Sequence, residues 1–222
     1  MKKEKLINYL YKVAMLFIIG CFLGCFFETI LCFLQRGHFE SRRGLIYGPF
    51  NPVYGIGFLF MCLLLRKEKR NYMIFLKGFL YGGIVEYLCS WFQEKLFHTS
   101  SWNYSKYALN FDGRTSVYHM IFWGLGTFLI MKFLYPKTIK LIDKIKLKYR
   151  LLVTILVILF LIFDITISSL AFNRYKARLK DIPAHNSVDK FMDKHYPDKV
   201  LIKIYPNVRD SKSKIKLCKI KK

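Results

Sequence analysis

The sequence predicts an all-α membrane protein, a polytopic bundle of about five transmembrane helices. Three observations predict it. Hydrophobic residues make up 54% of the 222 residues and aromatic residues 18%, although 37 lysines and arginines are also present. These classes are segregated into apolar blocks and basic connectors, the pattern of membrane spans and their flanks. Two of the blocks also repeat one arrangement of small and acidic residues, G-x-x-x-G-x-x-x-E, which only a helix turns into a single stripe.

The first span is expected over Leu10–Leu34. Gly20, Gly24 and Glu28 are spaced four apart and share one face. Small residues on a face let helix backbones approach closely in lipid. A carboxyl group facing lipid is costly, so Glu28 should point into the bundle, where such a group is a candidate functional residue. Ile18-Ile19-Gly20-Cys21 behind Lys2, Lys3 and Lys5 resembles a lipoprotein cleavage box. Apolar residues continue to Leu34, however, and favour a retained span.

The second span is expected over Ile46–Leu65, following Arg43-Gly44-Leu45-Ile46-Tyr47-Gly48-Pro49-Phe50-Asn51-Pro52. Glycine and proline at its entrance predict broken or re-entrant backbone, tolerated at membrane depth only where protein or a cavity covers it. The third span, Met73–Phe97, carries the twin stripe of Gly78, Gly82 and Glu86. Gln35 and Gln93 each lie seven positions after the corresponding glutamate. The loop after it holds Trp102 and Tyr104, read mainly as interfacial anchors, and a turn at Asp112-Gly113. The fourth span is Val117–Tyr135 and the fifth Leu151–Ala171, with Asp164 inside it.

The repeat extends past the glutamates. Arg43 precedes Tyr47 by four residues as Arg114 precedes Tyr118, and Tyr54-Gly55-Ile56-Gly57 echoes Trp123-Gly124-Leu125-Gly126. Spans 1–2 and 3–4 therefore read either as a tandem two-helix unit, as in parallel transporter repeats, or as chance similarity among Gly- and Phe-rich spans.

Two regions are expected, a bundle over 1–171 and a basic polar tail over 172–222. Lys2, Lys3, Lys5 and Lys12, then Arg66, Lys67, Lys69 and Arg70, then the lysines of Pro136–Arg150 mark alternate connectors as cytoplasmic. That puts the N-terminus in the cytoplasm of a bacterial inner-membrane protein. Five spans then send the tail outside, against its 15 basic residues and 5 aspartates. In the tail, helix character is expected around Asn186–His195, a stop near Tyr205-Pro206, and a disordered or lipid-surface end over Lys212–Lys222.

The net charge of +23 is assigned to lipid-facing connectors and not to nucleic acid, because no groove-reading motif accompanies it. Cys21, Cys25, Cys32, Cys62 and Cys89 fall in spans and behave as small apolar groups, with Cys218 alone in the tail. No spacing suggests a disulfide framework, a metal site or a cofactor motif. No H-E-x-x-H, G-x-S-x-G or G-x-x-x-x-G-K-[ST] occurs.

Glu28 and Glu86 should lie in the outer half of the bilayer with Arg43 and Arg114, and unlike charges at one depth should pair. Tyr47, Asn51, Tyr54, Asn110 and Trp123 are the expected lining of the same polar site. Glu28…Arg43 through Tyr54-Gly55, together with Glu86-Tyr87…Trp91…Glu94, Ser101-Trp102-Asn103-Tyr104, Asn110…Gly113-Arg114, Phe122-Trp123-Gly124, Asp164 and Ile204-Tyr205-Pro206-Asn207, resembles the bacterial membrane family named ABC-transporter type IV. The resemblance covers nearly the whole chain and implies a permease component served by a separate ATPase. Pro136–Arg150 is the candidate docking element, though its pattern equally suits a helix on anionic lipid. Two other classes stay open: an intramembrane enzyme or binding protein for an outer-leaflet lipid, with His38 and His119 as proton-transfer partners, and a non-catalytic scaffold.

Overall fold

A computed structural model of the chain describes residues 2–210 and 217. The Lys212–Lys222 end and Cys218 lie outside the described residues, apart from Leu217. Among the described residues, four helical runs are long and apolar enough to cross a membrane: α1 (Lys2–Arg36), α3 (Asn71–Phe97), the run Val117–Asp143, and α6 (Leu147–Arg178). The run Val117–Asp143 is α4 (Val117–Leu129), a π-helical turn (Ile130–Leu134) and α5 (Tyr135–Asp143). The wide turn has a local cause. Pro136 lacks a backbone N–H, and the Tyr135 N–H just before it reaches back to the Ile130 carbonyl.

The second expected span is helical only over α2 (Pro52–Leu65), 14 residues. Pro52 occupies the first helical turn and the Asn51 side chain caps it by accepting from the Val53 N–H at 3.1 Å. Gly44 and Leu45 both donate to the Phe50 carbonyl, and the Asn51 N–H donates to the Cys21 carbonyl of α1. A Cβ on Gly24 would strike Tyr54, so α2 begins level with Gly24. At 1.5 Å per residue α1 rises about 18 Å beyond that level, and residues 37–51 descend the same distance. The backbone at the entrance of this span is broken and folds back along α1, in line with its Gly and Pro content.

The two helix pairs pack alike. A Cβ on Gly20 would meet Phe58 and one on Gly24 would meet Tyr54; one on Gly78 would meet Thr127 and one on Gly82 would meet Trp123. Returning from the other side, Gly55 abuts the Phe17 ring and carbonyl, and Gly124 abuts the Phe75 ring and carbonyl. Residues matched by the sequence repeat therefore make matched contacts, which supports the tandem two-helix reading.

One end of the bundle collects the strongly basic connectors. Leu16, Phe58, Met61, Cys62, Leu65, Ile74 and Met131 form its core. Lys12 pairs with Asp143 at 3.1 Å, and Arg150 pairs with Asp143 at 3.3 Å and with Asn8. Pro136–Arg150 is not one helix: α5 ends at Asp143 and α6 starts at Leu147. The fully buried Tyr11 hydroxyl donates to the Ile142 carbonyl at 2.6 Å, close to that break. Tyr11→Phe should therefore cost about 1–2 kcal/mol, the penalty for stranding a buried acceptor. The check is the unfolding midpoint of the purified protein in a denaturing-detergent titration.

The opposite end carries loops 37–51 and 98–116 and the tail. Beyond α6 come α7 (Ser187–His195), capped by Asn186, and α8 (Asp198–Ile204), which stops just before Tyr205-Pro206. Thr99–Ser100 (β1) pairs antiparallel with Arg209–Asp210 (β4). A second short ribbon joins Asn110–Phe111 (β2) to Thr115–Ser116 (β3). Ile46 shares a core with Ala171, Phe172 and Tyr175 of α6 and with Met192, Tyr196, Leu201, Ile204 and Val208 of the tail. The described part of the tail is thus packed onto the bundle, at the end away from the N-terminus.

Candidate functional site

Close packing on the glycine faces sets Tyr54 over Gly24 and Trp123 over Gly82, one helical turn from Glu28 and Glu86. The two rings meet across the pairs with centroids 6.5 Å apart. Above them a cavity of about 390 Å³ opens, walled by α1–α2, α3–α4, α6 and the tail. Such a volume suits a small ligand or a lipid headgroup.

The cavity brings together Glu28, Arg43, Asn51, Tyr54, Glu86 and Trp123 of the residues expected from sequence. The Tyr54 hydroxyl donates to Glu28 Oε2 at 2.5 Å, and Arg42 Nη1 lies 3.6 Å from Glu28 Oε1. Glu86 is only 7% exposed. It accepts from Thr115 Oγ1 at 2.7 Å and from the Tyr104 hydroxyl at 3.1 Å, and the Trp123 indole also acts on it as a donor. Tyr104 lies flat on His119, ring centroids 3.6 Å apart. Burial, followed by the charge of Glu86, pushes the Tyr104 hydroxyl well up, so it stays a donor. Burial likewise pushes Tyr205, on the tail wall, up to about 12.

The expected pairs are rearranged. Glu28 meets Arg42, not Arg43, and Arg114 pairs with Glu94 and contacts Ser90 at 3.4 Å. Arg114 sits over the Tyr87 ring, 5.7 Å from its centroid, and outside the cavity lining. A second carboxylate within reach of Arg114, eight residues after Glu86 on α3, accounts for the difference. Asn110 braces its loop: it donates to the Tyr107 carbonyl at 2.8 Å and accepts from the Gly113 N–H at 2.9 Å. Tyr47 anchors the re-entrant loop, its N–H on Asp164 Oδ1 at 3.1 Å and its hydroxyl 2.5 Å from that of Tyr196. Asn51 lines the cavity as the cap of α2 and donates to the Arg42 carbonyl at 3.0 Å.

Asp164 is fully buried and holds the loop through Tyr47 and through Ser168, whose hydroxyl accepts from the Ile46 N–H at 2.9 Å. His119 contacts Ser116 Oγ at 2.8 Å, His38 is exposed, and neither lines the cavity. Sequence reasoning missed Arg42, the ligand role of Tyr104 toward Glu86, and the tail wall of Tyr205, Asn207 and Val208. Arg42 stood beside Arg43 in the sequence. Nothing in the sequence distinguished which of the two would turn toward Glu28.

Chemically, the arrangement is a chamber with two carboxylates held by hydroxyl donors. The family model described as "Putative ABC-transporter type IV" matches residues 15–169, and the chain belongs to that family. No curated protein and no solved structure matches the chain.

Proposed function

We propose that this member of the ABC-transporter type IV family is the permease component of a transporter driven by a separate ATPase subunit, with the cavity of Glu28 and Glu86 handling the substrate. The observation that carries the reading is the cavity's position between two helix pairs that pack alike. A site at the interface of equivalent units is where rocking of one unit against the other exposes it alternately. A buried Glu86 and a half-buried Glu28 in such a place favour substrate or ion handling over simple packing.

The clustering of the basic connectors at the N-terminal end supports a cytoplasmic N-terminus in a bacterial inner membrane, with the cavity toward the outer face. It also favours Pro136–Arg150 for ATPase docking: Lys137, Lys140 and Lys144 are exposed there beside the α5–α6 break.

Affinity purification of the full chain from its native membrane tests the reading. Wild type and Glu86→Gln should both recover an ATPase in stoichiometric amount, and Lys137, Lys140 and Lys144 changed together to Glu should lose it. In reconstituted vesicles Glu86→Gln should reduce ATP-driven transport at least about tenfold. Recovery of no ATPase with the folded wild-type chain would remove the permease reading.

A further inference from the structure

Glu86 is almost fully buried, yet no lysine or arginine among the described residues lies within salt-bridge distance of it; its partners are hydroxyl groups and an indole. Glu28, by contrast, has Arg42. Arg43 lines the same cavity in the opposite condition. Among the described residues its guanidinium hydrogen-bonds to Ser41 Oγ and the Ile46 carbonyl, each at 3.4 Å, and Asp164 acts on it through space without a salt-bridge contact. Among the described residues, a carboxylate with no cation in salt-bridge contact and a guanidinium with no anion in salt-bridge contact thus face one chamber and do not pair with each other. Unpaired charges of both signs in a low-dielectric site are costly. A ligand carrying both complementary charges relieves the two costs together.

The identity of each end follows from the groups that would meet it. An ammonium suits Glu86, where Tyr54 and Trp123 add aromatic faces. A phosphate suits the planar fork of Arg43. Leu45, Phe97, Ile165 and Phe172 add apolar wall beside the polar side chains of Gln93, Ser101, Ser169 and Asn207.

We propose that the cavity binds a zwitterionic amine-phosphate group, its ammonium at Glu86 and its phosphate at Arg43, supplied either as the headgroup of an aminophospholipid or as a free amine-phosphate. The proposal deepens the transport reading of this cavity and rests on it.

The test uses the full chain purified in a non-ionic detergent without phosphate. Calorimetric titration with phosphoethanolamine, ethanolamine and inorganic phosphate should show phosphoethanolamine binding at least about tenfold tighter than either half. Glu86→Gln should lower its affinity to that of phosphate alone, and Arg43→Gln to that of ethanolamine alone. Native mass spectrometry with phosphatidylethanolamine and phosphatidylglycerol separates the sources. Retention of the former by wild type but not by Glu86→Gln identifies the lipid, and binding of the soluble group without lipid preference identifies the free compound. No preference for phosphoethanolamine over its halves, or variants that bind it as wild type does, would overturn the proposal.

Should Glu86→Gln fail to fold, labelling of wild-type Glu86 by a hydrophobic carbodiimide serves instead. Phosphoethanolamine must slow that labelling at least about fivefold, and an unchanged rate overturns the proposal. The transport reading fails separately, through absence of an ATPase from the purification, so ATPase recovery without zwitterion binding removes this inference alone.

Discussion

Gly82→Ala should destabilise the bundle by about 3 kcal/mol, and Gly82→Leu should prevent its assembly, whereas Gly126→Ala should change stability by less than about 1 kcal/mol. The difference lies in what an added Cβ meets. At Gly82 it would strike Cβ and Cγ of Trp123, the root of that side chain. No rotamer change moves the Cβ away, because the backbone fixes it, so α3 and α4 must separate. In lipid the helices have little hydrophobic drive to stay together, and the lost contact is not replaced by burial elsewhere. At Gly126 an added Cβ has nothing within 4 Å. Gly24→Ala meets Tyr54 in the same way and should resemble Gly82→Ala. Denaturing-detergent titration of the purified variants measures all three. Equal midpoints for Gly82→Ala and Gly126→Ala would mean that close α3–α4 contact does not hold the bundle.

The same contrast marks how far the fold could be read from sequence. The i, i+4 spacing of Gly20, Gly24 and Glu28, and of Gly78, Gly82 and Glu86, defined the packed faces because a helix has one period. Tyr54-Gly55 and Trp123-Gly124 supplied the matching surfaces. Gly57 and Gly126 also match in sequence, but only a Cβ on Gly57 would meet a neighbour, the Trp123 ring at 3.0 Å. Which face of α4 is turned outward depends on the neighbouring pair, and a local pattern carries no record of that. The short α2 was legible as a disturbed entrance through Gly48-Pro49 and Pro52. Its start was not, because Asn51 is fixed by the Cys21 carbonyl, a partner 30 residues away.

The site was legible where charge met hydrophobicity. Glu28 and Glu86 stood out as acids within apolar runs, and both line the cavity. Pairing was harder, because Arg42 and Arg43 are adjacent, and re-entrant backbone turns neighbouring side chains to different partners. The tail wall was hidden for a different reason. Tyr205 and Asn207 reach the cavity through the β1–β4 ribbon and the packing of the short polar α8 on the C-terminal end of α6, contacts that no local pattern records. The tail's excess of basic residues drew attention to lipid. Part of that charge is instead spent on holding the tail in place.

Asp193→Asn should release the tail and open the cavity from that side. Arg174 is 6% exposed and grips Asp193 with two bonds of 2.9 Å, Nε to Oδ1 and Nη2 to Oδ2. Arg178 reaches the same Oδ1 at 2.5 Å and Asp198 at 2.5 Å. Removing the Asp193 charge leaves the Arg174 guanidinium with the Ile182 and Pro183 carbonyls and no carboxylate from Asp193. Because Asp193 itself is 31% exposed, the cost should fall between the surface and buried ranges, about 2–3 kcal/mol of docking free energy. That corresponds to a rise of about 30–150-fold in amide exchange over residues 187–208, in the regime where exchange reports the opening equilibrium. The pH dependence has a definite sign. The hydrogen bond from Arg174, supported by Arg178, holds the Asp193 carboxyl below the ordinary carboxylate value. Its stabilisation is therefore complete above that ordinary value, near pH 4, and is lost as pH falls through the lower folded value. Wild-type exchange in α7 and α8 should accelerate on acidification through that window beyond its intrinsic pH dependence, and Asp193→Asn should show less of the excess. Equal exchange in both proteins at neutral pH would mean that the apolar core of Ala171, Met192, Leu201 and Ile204 holds the tail without the ion pairs.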